Sequence, residues 1–381
     1  MRTVYYLGFY DIDNNKNEKR NIVLSATNKM SYIIEAIDDC GYCADVISAS
    51  YTLGEKKCPE KCIDIAKNSK LHLFKSLPWG NKFKRVKSYI YTYRQLYKYI
   101  VSNLKKDDVL IVYHSMAYMS PVKKAKKKIG FELILEVEEI YNDVIKKSEK
   151  KREQEVNYFK LADKYIFPTE LLNECVNKEN KPYSVIHGTY RVERDRGGSF
   201  GDDKIHVLYA GTLDPRKGGA AAAAAAGFLP ENYHVHILGF GGKTEIEYIK
   251  KLVSDVNKKT KATLTYDGLL SGDDYIEFIQ KCDIGLSTQS PNADFNATSF
   301  PSKILSYMAN GLRVVSVRIP AIEHSAIGED MYYYNEQTPE EIAKAIMSVD
   351  LNDGYDGRAK IKWLDIKFRE DLEELLENGE S

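Results

Sequence analysis

Thr298-Ser-Phe-Pro-Ser-Lys-Ile-Leu-Ser-Tyr-Met-Ala-Asn-Gly-Leu-Arg-Val-Val-Ser-Val317 is the stretch that decides the fold. Its pattern predicts a polar loop up to Pro301, a short helix to Asn310, a stop at Gly311 and an apolar strand from Leu312. Proline suits the first turn of a helix because its missing N–H would be unpaired there, and glycine suits the left-handed residue that ends one. The free N–H groups of such a first turn favour a bound anion.

The rest of the chain alternates strand and helix signals in the same way. The predicted strands of the first half are 4–8, 44–48, 109–113, 133–137 and 165–167, with a helix over Lys29–Cys40. Those of the second half are 206–210, 233–238, 262–266, 284–287, 314–317 and 331–334. Alternation of this kind predicts parallel sheets with helices on both faces. The sequence therefore predicts an α/β protein with two Rossmann-like, doubly wound parallel-sheet domains.

Length and charge indicate where these domains meet. A chain of 381 residues is long for one domain. Residues 1–190 contain 33 Lys/Arg and 24 Asp/Glu, a charge of +9, and residues 191–381 contain 22 and 31, a charge of −9. The polar stretch at 188–200 is the predicted boundary. The predicted domains are thus 1–190 and 200–350, with a final helix at 355–381 that has Trp363 and Phe368 on its apolar side.

Composition excludes several classes of protein. No apolar run approaches the roughly 18 residues of a membrane span, and the N-terminus lacks the apolar core of a signal peptide. We therefore expect a cytoplasmic protein whose membrane contact, if present, is peripheral. Cys40/Cys43 and Cys58/Cys62 have spacings that zinc sites sometimes use, but nothing else supports a metal there, and we expect free thiols.

A second informative segment is the glycine-rich loop Gly211–Gly219, GTLDPRKGG, which lies between a predicted strand and a predicted alanine-rich helix. Loops of this kind bind phosphate through backbone N–H groups. Lys217 adds a mobile positive charge and Arg216 a planar one. The alternative is an ordinary strand–turn–helix corner with exposed charges.

Together the two segments resemble glycosyltransferases of family 4, which have the GT-B fold. The segment 298–317 has the form of their donor-binding helix, and the loop is similar to their G-R-L-x-x-x-K-G motif, with Lys217 and Gly218 matching. Thr212 stands where the family has its first arginine, a role that Arg216 could take. The family's two glutamates, eight residues apart, are replaced by Thr298 and Ser306.

This resemblance, which is strongest from about 205 to 335, implies two domains that face a cleft, with the C-terminal helix crossing back. It also implies a nucleotide-sugar donor on the second domain, no catalytic metal or other cofactor, and retention of the anomeric configuration. Lys217 would also offset the charge of the leaving group. The donor-binding residues expected from it are Gly211, Thr212, Arg216, Lys217, Gly239, Gly241, Gly268, Leu269, Ser299, Ser302, Lys303 and Ser306.

Candidate catalytic residues of the first domain follow two of its strands. LILEVEEIY, Leu133–Tyr141, places carboxylates at the carboxyl end of a strand, where open α/β sheets bind ligands. Glu138 or Glu139 could orient an acceptor hydroxyl or take its proton. His114 ends the preceding strand and could line the same cleft, as could Lys29 at the start of the first helix. A solvated acidic turn and a structural histidine are the alternatives.

The segment Trp79–Tyr99 interleaves basic and aromatic side chains, and Lys123–Lys128 adds a basic run. This composition suits an anionic membrane surface or a lipid-linked acceptor, although a helix with its tyrosines packed on the core would look similar. No nucleic-acid-binding motif accompanies it, so we expect no nucleic-acid partner.

The predicted function is transfer of a sugar from a nucleotide-sugar donor to a glycan or lipid-linked acceptor, in surface polysaccharide biosynthesis. Two alternatives stay open. One is a non-catalytic GT-B subunit that binds sugar or a partner chain, and the other is a nucleotide-sugar 2-epimerase. A dinucleotide oxidoreductase is disfavoured because the loop after the first strand lacks G-x-G-x-x-G.

Overall fold

The computed structural model describes residues 2–12, 18–144, 148–293, 296 and 298–377. The chain forms two compact units. Unit 1 comprises Met1–Pro168, Leu172–Thr189 and Lys367–Ser381, and unit 2 comprises Thr169–Leu171 and Tyr190–Ile366.

The sheet of unit 1 has eight strands among the described residues, in the order β3-β4-β2-β1-β5-β6-β7-β8. The strands are β1 Thr3–Gly8, β2 Cys43–Ser48, β3 Lys61–Asp64, β4 Lys70–Leu73, β5 Val109–Tyr113, β6 Glu132–Glu136, β7 Lys164–Phe167 and β8 Tyr183–Val185. Only the edge pair β3–β4 is antiparallel within this set. The central strands β1, β5 and β6 are apolar throughout most of their length because helices cover both faces of such a sheet.

The sheet of unit 2 has six strands in the described part of the chain, all parallel, in the order β11-β10-β9-β12-β13-β14. They are β9 Ile205–Thr212, β10 Tyr233–Phe240, β11 Thr263–Gly268, β12 Ile284–Ser287, β13 Arg313–Val317 and β14 Met331–Tyr334. The strand order reverses between β9 and β12, and the crevice at such a switch point is where doubly wound sheets bind ligands.

Helices connect these strands. Before residue 190 they are α1 Leu24–Asp39, α2 Lys82–Asn103, α3 Met119–Ile129, α4 Tyr141–Val144, α5 Glu149–Phe159 and α6 Glu170–Val176. After it they are α7 Gly219–Ala225, α8 Lys243–Asn257, α9 Gly272–Ile279, α10 Lys303–Ala309, α11 Pro320–Glu323, α12 Pro339–Met347 and α13 Gly357–Leu376. Among the residues described, no helix has the length and apolar character needed to cross a bilayer.

The predicted fold class is confirmed, including the last helix: α13 begins in unit 2 and its final turns belong to unit 1. In unit 1 the ring of Phe368 stacks on Tyr32, with ring centroids 5.7 Å apart. The prediction for Trp363 was wrong, because its side chain is 47% exposed while Ile361 and Leu364 are buried.

The sequence reading missed three short strands, β3, β4 and β8. Each has only three or four residues and includes polar side chains, so it produces little of the apolar signal on which the other strands were recognised. None of the six cysteines forms a disulfide bond.

Candidate functional site

The segment 298–317 folds into α10 and β13, and one tyrosine fixes this helix to the sheet. The Tyr307 hydroxyl accepts a hydrogen bond from the backbone N–H of Ala210 on β9 at 2.9 Å and lies 3.3 Å from the carbonyl oxygen of Leu286 on β12. Its ring occupies the space above Gly285, where a Cβ atom would lie only 2.3 Å from the ring. Tyr307 thus anchors α10 across the strands that flank the switch point.

The observed helix begins at Lys303, two residues later than the prediction that placed Pro301 in its first turn. Pro301 precedes the N-cap residue, Ser302, and its carbonyl oxygen accepts from the N–H of Ile304 at 3.0 Å. At the other end Gly311 has φ = +91°, the left-handed conformation expected of a helix-ending glycine.

One turn before Tyr307, the side chain of Lys303 reaches the carboxyl end of β9. Its Nζ lies 4.1 Å from the centroid of the Tyr209 ring, and a Cβ atom on Gly211 would lie 3.3 Å from it. This nitrogen is shielded from solvent and has no hydrogen-bond partner among the described residues. Burial, together with the positive charge of Lys217, lowers the pKa of Lys303 from 10.5 to about 7. The result is a buried ammonium with open donor capacity.

The loop after β9 brings Lys217 toward the same place. Pro215–Lys217 form a 3₁₀ turn, and Gly218 follows with φ = +89°. A Cβ atom on Gly218 would lie 1.7 Å from the carbonyl oxygen of Thr288, so only glycine allows this close approach. The Tyr209 hydroxyl donates to the carbonyl oxygen of Lys217 at 3.0 Å and thereby ties the loop to β9.

Arg216, proposed above as a substitute for a missing phosphate-binding arginine, points into a different contact. Its guanidinium forms two bonds with the Asp214 carboxylate, Nε to Oδ1 at 3.0 Å and an N–H to Oδ2 at 2.6 Å. This pairing lowers the pKa of Asp214 to about 2. A phosphate would therefore have to compete with Asp214 for Arg216, whereas Lys303 has no such competitor in the described part of the chain.

The remaining predicted donor-binding positions lie at the carboxyl edge of the same sheet, on the segment before α10 or on α10 itself. Gly239 pairs with Gly211 in the register of β9 and β10, while Thr212, Gly241 and Leu269 are exposed. Gly268 ends β11 with φ = +81°.

The serines of this group differ in exposure. Ser299 and Ser306 are half-buried and Ser302 is exposed, and Ser306 hydrogen-bonds Tyr275. Of the two positions that replace the family glutamates, Thr298 is also half-buried. Of the predicted donor positions, Gly211 is the one that the structure places directly beside the ammonium of Lys303.

In unit 1 the structure reveals that the first carboxylate of Leu133–Tyr141, to which the sequence prediction gave no role, is buried. Glu136, the last residue of β6, is fully buried and accepts a hydrogen bond from the Tyr6 hydroxyl. The ammonium of Lys29 lies 3.8 Å from its Oε1 and is in direct contact with Glu138. Burial raises the pKa of Glu136, and Lys29 opposes this rise. Lys29 lies inside α1, which starts five residues earlier than predicted.

The predicted candidates Glu138 and Glu139 are both half-buried, and Glu138 is ion-paired with Lys29. His114 is 1% exposed and its Nε2 lies 2.9 Å from the buried carboxylate of Glu155. Glu155 also accepts from the backbone N–H groups of Tyr141 and Asn142 at 2.9 and 3.0 Å. The structure therefore brings Lys29, Glu136 and Glu138 together, and it places His114 in a separate buried network.

Comparisons with known proteins place this geometry in context. Residues 204–350, which include Lys217 and Lys303, match the model of the family described as Glycosyl transferases group 1. Apo OtsA superposes with 12% identity over 99% of each chain and a TM-score of 0.65. The chain has the GT-B fold.

Two further solved structures have this fold. Anabaena Alr3699/HepE in complex with UDP and glucose has 13% identity over 98% of each chain and a TM-score of 0.61. A glycosyltransferase from Rickettsia africae ESF-5 has 13% identity over 99% of each chain and a TM-score of 0.60. No curated protein matches the sequence.

Sequence reasoning included Lys303 only for its backbone, and it counted Glu136 among the carboxylates of Leu133–Tyr141 without giving it a role. The available signal for Glu136 was a glutamate enclosed by Leu135 and Val137 in an otherwise apolar run, which indicates a buried carboxylate. For Lys303 the signal was its position four residues before Tyr307, because residues so spaced share one face of a helix.

Proposed function

We propose that the chain is a glycosyltransferase that takes its sugar from a nucleoside diphosphate sugar, with the donor diphosphate bound by unit 2. The observation that carries this proposal is the buried ammonium of Lys303 beside Gly211, which has no hydrogen-bond partner among the residues that the structure describes. A buried charge without a partner is energetically costly, so such a group favours the binding of an anion next to it. The second lysine, Lys217, increases this preference, because its repulsion of Lys303 is relieved when a phosphate lies between them.

The comparisons support a nucleotide donor. The HepE structures contain UDP, and one trehalose-6-phosphate synthase from E. coli is bound with UDP-2-fluoro glucose. We extend the same donor class to this chain. We also propose that the anomeric configuration of the sugar is retained. Trehalose-6-phosphate synthase, which has a similar fold, has been studied for enzymatic glycosyltransfer with retention.

The proposed chemistry depends on charge at the leaving group. As the bond to the sugar breaks, negative charge develops on the nucleoside diphosphate, and fixed positive groups near it lower the barrier. Lys303 and Lys217 are two such groups on this edge of unit 2. Their presence is the reason that we propose transfer without a catalytic metal.

For the acceptor we propose unit 1, with Glu136, Glu138 and Lys29 as the polar groups that orient a hydroxyl. Burial raises the pKa of Glu136, and a raised pKa is the usual means by which a carboxylate acts as a base near neutral pH. The sequence predicts these roles for Glu138 and Glu139. Both remain candidates for direct contact with the acceptor because they are less buried than Glu136.

We further propose that the acceptor is a glycan or a lipid-linked glycan and that α2 contacts an anionic membrane. Phe83, Val86 and Ile90 share one face of α2 and are exposed, with Phe83 at 86%. Lys84 and Lys87 lie beside them and are also exposed. An apolar stripe flanked by lysines is the pattern of a helix that lies in a membrane interface. Surface polysaccharide biosynthesis in the cytoplasm is the setting that this acceptor implies.

A non-catalytic sugar-binding subunit is the second candidate. The observation that favours it is the presence of Thr298 and Ser306 at the two positions where the resembling family has glutamates. This candidate predicts nucleotide-sugar binding without turnover, or no binding at all.

The first experiment is calorimetric titration with UDP, GDP and ADP, without metal and then with Mg²⁺, followed by a turnover assay with the sugars of the nucleotide that binds. We expect metal-independent binding of one nucleotide. Lys217→Ala should weaken it by about 1–3 kcal/mol, the size of a lost charged hydrogen bond. Lys344→Ala is the matched control, since Lys344 lies on α12 in the same unit and pairs only with Glu341 among described contacts. Absence of binding by every nucleotide would overturn the donor proposal, and binding without turnover would favour the second candidate.

A further inference from the structure

Three histidines form a cluster in unit 2 that the proposed reaction does not use. His206 lies on β9, and His234 and His236 lie on β10. His206 and His234 are register partners across the two parallel strands, and His236 is two residues further along β10. Since side chains two residues apart share a face, all three imidazoles project from one side of the sheet.

The two buried rings are those of His206 and His236. In each, one nitrogen faces the other ring and the second nitrogen contacts a carboxylate outside the cluster. Inside the cluster, Nδ1 of His206 lies 2.9 Å from Nε2 of His236. Outside it, Nε2 of His206 lies 2.8 Å from the Asp202 carboxylate, and Nδ1 of His236 lies 3.2 Å from the Asp267 carboxylate. Carboxylates that hold the outer nitrogen of a histidine are the usual second layer of a metal site, where they fix the ring and make the inner nitrogen a better ligand.

The third ring completes the set. His234 stacks on His236 with ring centroids 3.9 Å apart, and its Nε2 lies 3.1 Å from the Thr265 hydroxyl, which donates to Asp267 at 2.8 Å. Each histidine offers one ring nitrogen, and these three nitrogens all lie within 4.8 Å of one another. His206 and His236 are buried and His234 is half-buried, so an ion would enter past His234.

We propose that His206, His234 and His236 bind a divalent transition metal ion, with zinc as the class that best fits three imidazoles and an open fourth position. Tetrahedral zinc with bonds of about 2.0–2.1 Å requires its nitrogen ligands to be about 3.3 Å apart. The His206–His236 pair therefore opens by a few tenths of an ångström, and the half-buried His234 turns out of its stack to approach. The proton shared by the first pair is released when the metal binds.

This site is separate from the proposed donor site. His206 precedes Gly211 by five residues on β9, about 16 Å at 3.3 Å per residue, and His236 precedes Gly239 by three, about 10 Å. A metal here would fasten the segment before β9 to the sheet, because Phe200 stacks on His206 at 4.1 Å and Asp202 bonds to the same ring. Such an ion would support the fold at a distance from the donor site and is compatible with a transfer reaction that needs no metal.

The test uses the full chain without a polyhistidine tag, stripped by a chelator and then titrated with ZnCl₂ in competition with a chromophoric chelator. We expect about one zinc ion per chain and, with Co²⁺ instead, the intense visible absorption of a tetrahedral complex. Asp267→Asn should weaken zinc binding about 10–100-fold, the usual effect of losing a carboxylate behind a ligand histidine.

His234→Ala should abolish the tetrahedral Co²⁺ spectrum, and because His234 is half-buried this variant is the one least prone to misfold. His324→Ala, which removes an exposed histidine of the same unit, should leave affinity and spectrum unchanged. Zinc affinity that is unchanged in both His234→Ala and Asp267→Asn would overturn the proposal. So would the absence of stoichiometric binding by the folded wild-type chain, which would leave the cluster as a proton-sharing hydrogen-bond network.

Discussion

Replacing Lys303 by methionine should change stability and ligand affinity in opposite directions. Methionine has a similar length and no charge, so it can lie over the Tyr209 ring without requiring an anion. The folded chain should become more stable, because the substitution removes a buried ammonium that has no hydrogen-bond partner within the described residues. Nucleoside diphosphate binding should become weaker, because the same ammonium is proposed to bind the phosphate.

The size of the stability gain follows from the pKa. The pKa of Lys303 is about 7 in the folded chain against an ordinary value of 10.5, and the difference of about 3.5 corresponds to about 5 kcal/mol at 1.36 kcal/mol per unit. The residue as a whole is only half-buried, and relaxation around it lowers the penalty, so about 2 kcal/mol is the expected gain. For a unit of this size that is roughly 4–8 °C in Tm.

The gain must depend on pH with a definite sign. Between pH 7 and 10.5 the unfolded chain binds more protons at this lysine than the folded chain does, so wild-type stability rises with pH in that window. The penalty is complete below pH 7 and disappears near pH 10.5. Lys303→Met should therefore raise Tm most at pH 6 and least at pH 10.

Ligand binding provides an independent measurement. At pH 8 most Lys303 side chains are neutral, and a bound diphosphate should raise their pKa again, so wild-type protein should take up close to one proton on binding. Calorimetry in two buffers of different ionisation enthalpy measures this uptake, which Lys303→Met should lose, together with about 10-fold or more in affinity. A variant that is less stable at pH 6, or one that binds with unchanged affinity and proton uptake, would refute the reasoning.

Two further predictions concern the supports of the two candidate sites. Gly218→Ala should destabilise unit 2 by about 3 kcal/mol or more. A Cβ atom there would lie 1.7 Å from the Thr288 carbonyl oxygen, and the backbone of Gly218 is in the left-handed conformation. An unchanged thermal transition would contradict this prediction. Glu136→Gln should raise Tm at pH 8 and have little effect on Tm near pH 4.5. Because burial raises the pKa of Glu136, the wild-type chain loses stability as the pH rises above the ordinary pKa of a carboxyl group. Equal Tm differences at both pH values would show that ionisation of Glu136 is not the cause.

Most of the fold could be predicted from the sequence because it rests on short-range signals. The apolar runs that became β5, β12 and β14 were predicted with the bounds that the structure has. Gly311 was recognised as the end of α10 because a left-handed residue is needed there. The strands that escaped prediction, such as β3, are stabilised by pairing with a neighbour rather than by an apolar pattern of their own.

The candidate site was harder to predict, because its important contacts join residues distant in sequence. Glu136 owes its raised pKa to burial, whereas its hydrogen bond from Tyr6, which lies 130 residues away in the sequence, opposes the rise. Arg216 was assigned to phosphate from its type and position, and only the structure reveals that Asp214, two residues away, already holds its guanidinium.

Lys303 illustrates why residue type and position alone do not determine a role. In the sequence it is one of many lysines, and in the motif it is useful for its backbone. Tyr307 fixes α10 to the backbone of β9 and β12, and this anchoring turns Lys303 toward Gly211, where the absence of a Cβ atom leaves space for its ammonium. The conformation is unfavourable for the chain alone, since the charge of Lys303 is buried with no hydrogen-bond partner in the part of the chain that the structure describes. A phosphate bound between Lys303 and Lys217 would remove that disadvantage. Replacing Lys303 should therefore remove both the destabilisation of the unliganded chain and the affinity for the phosphate.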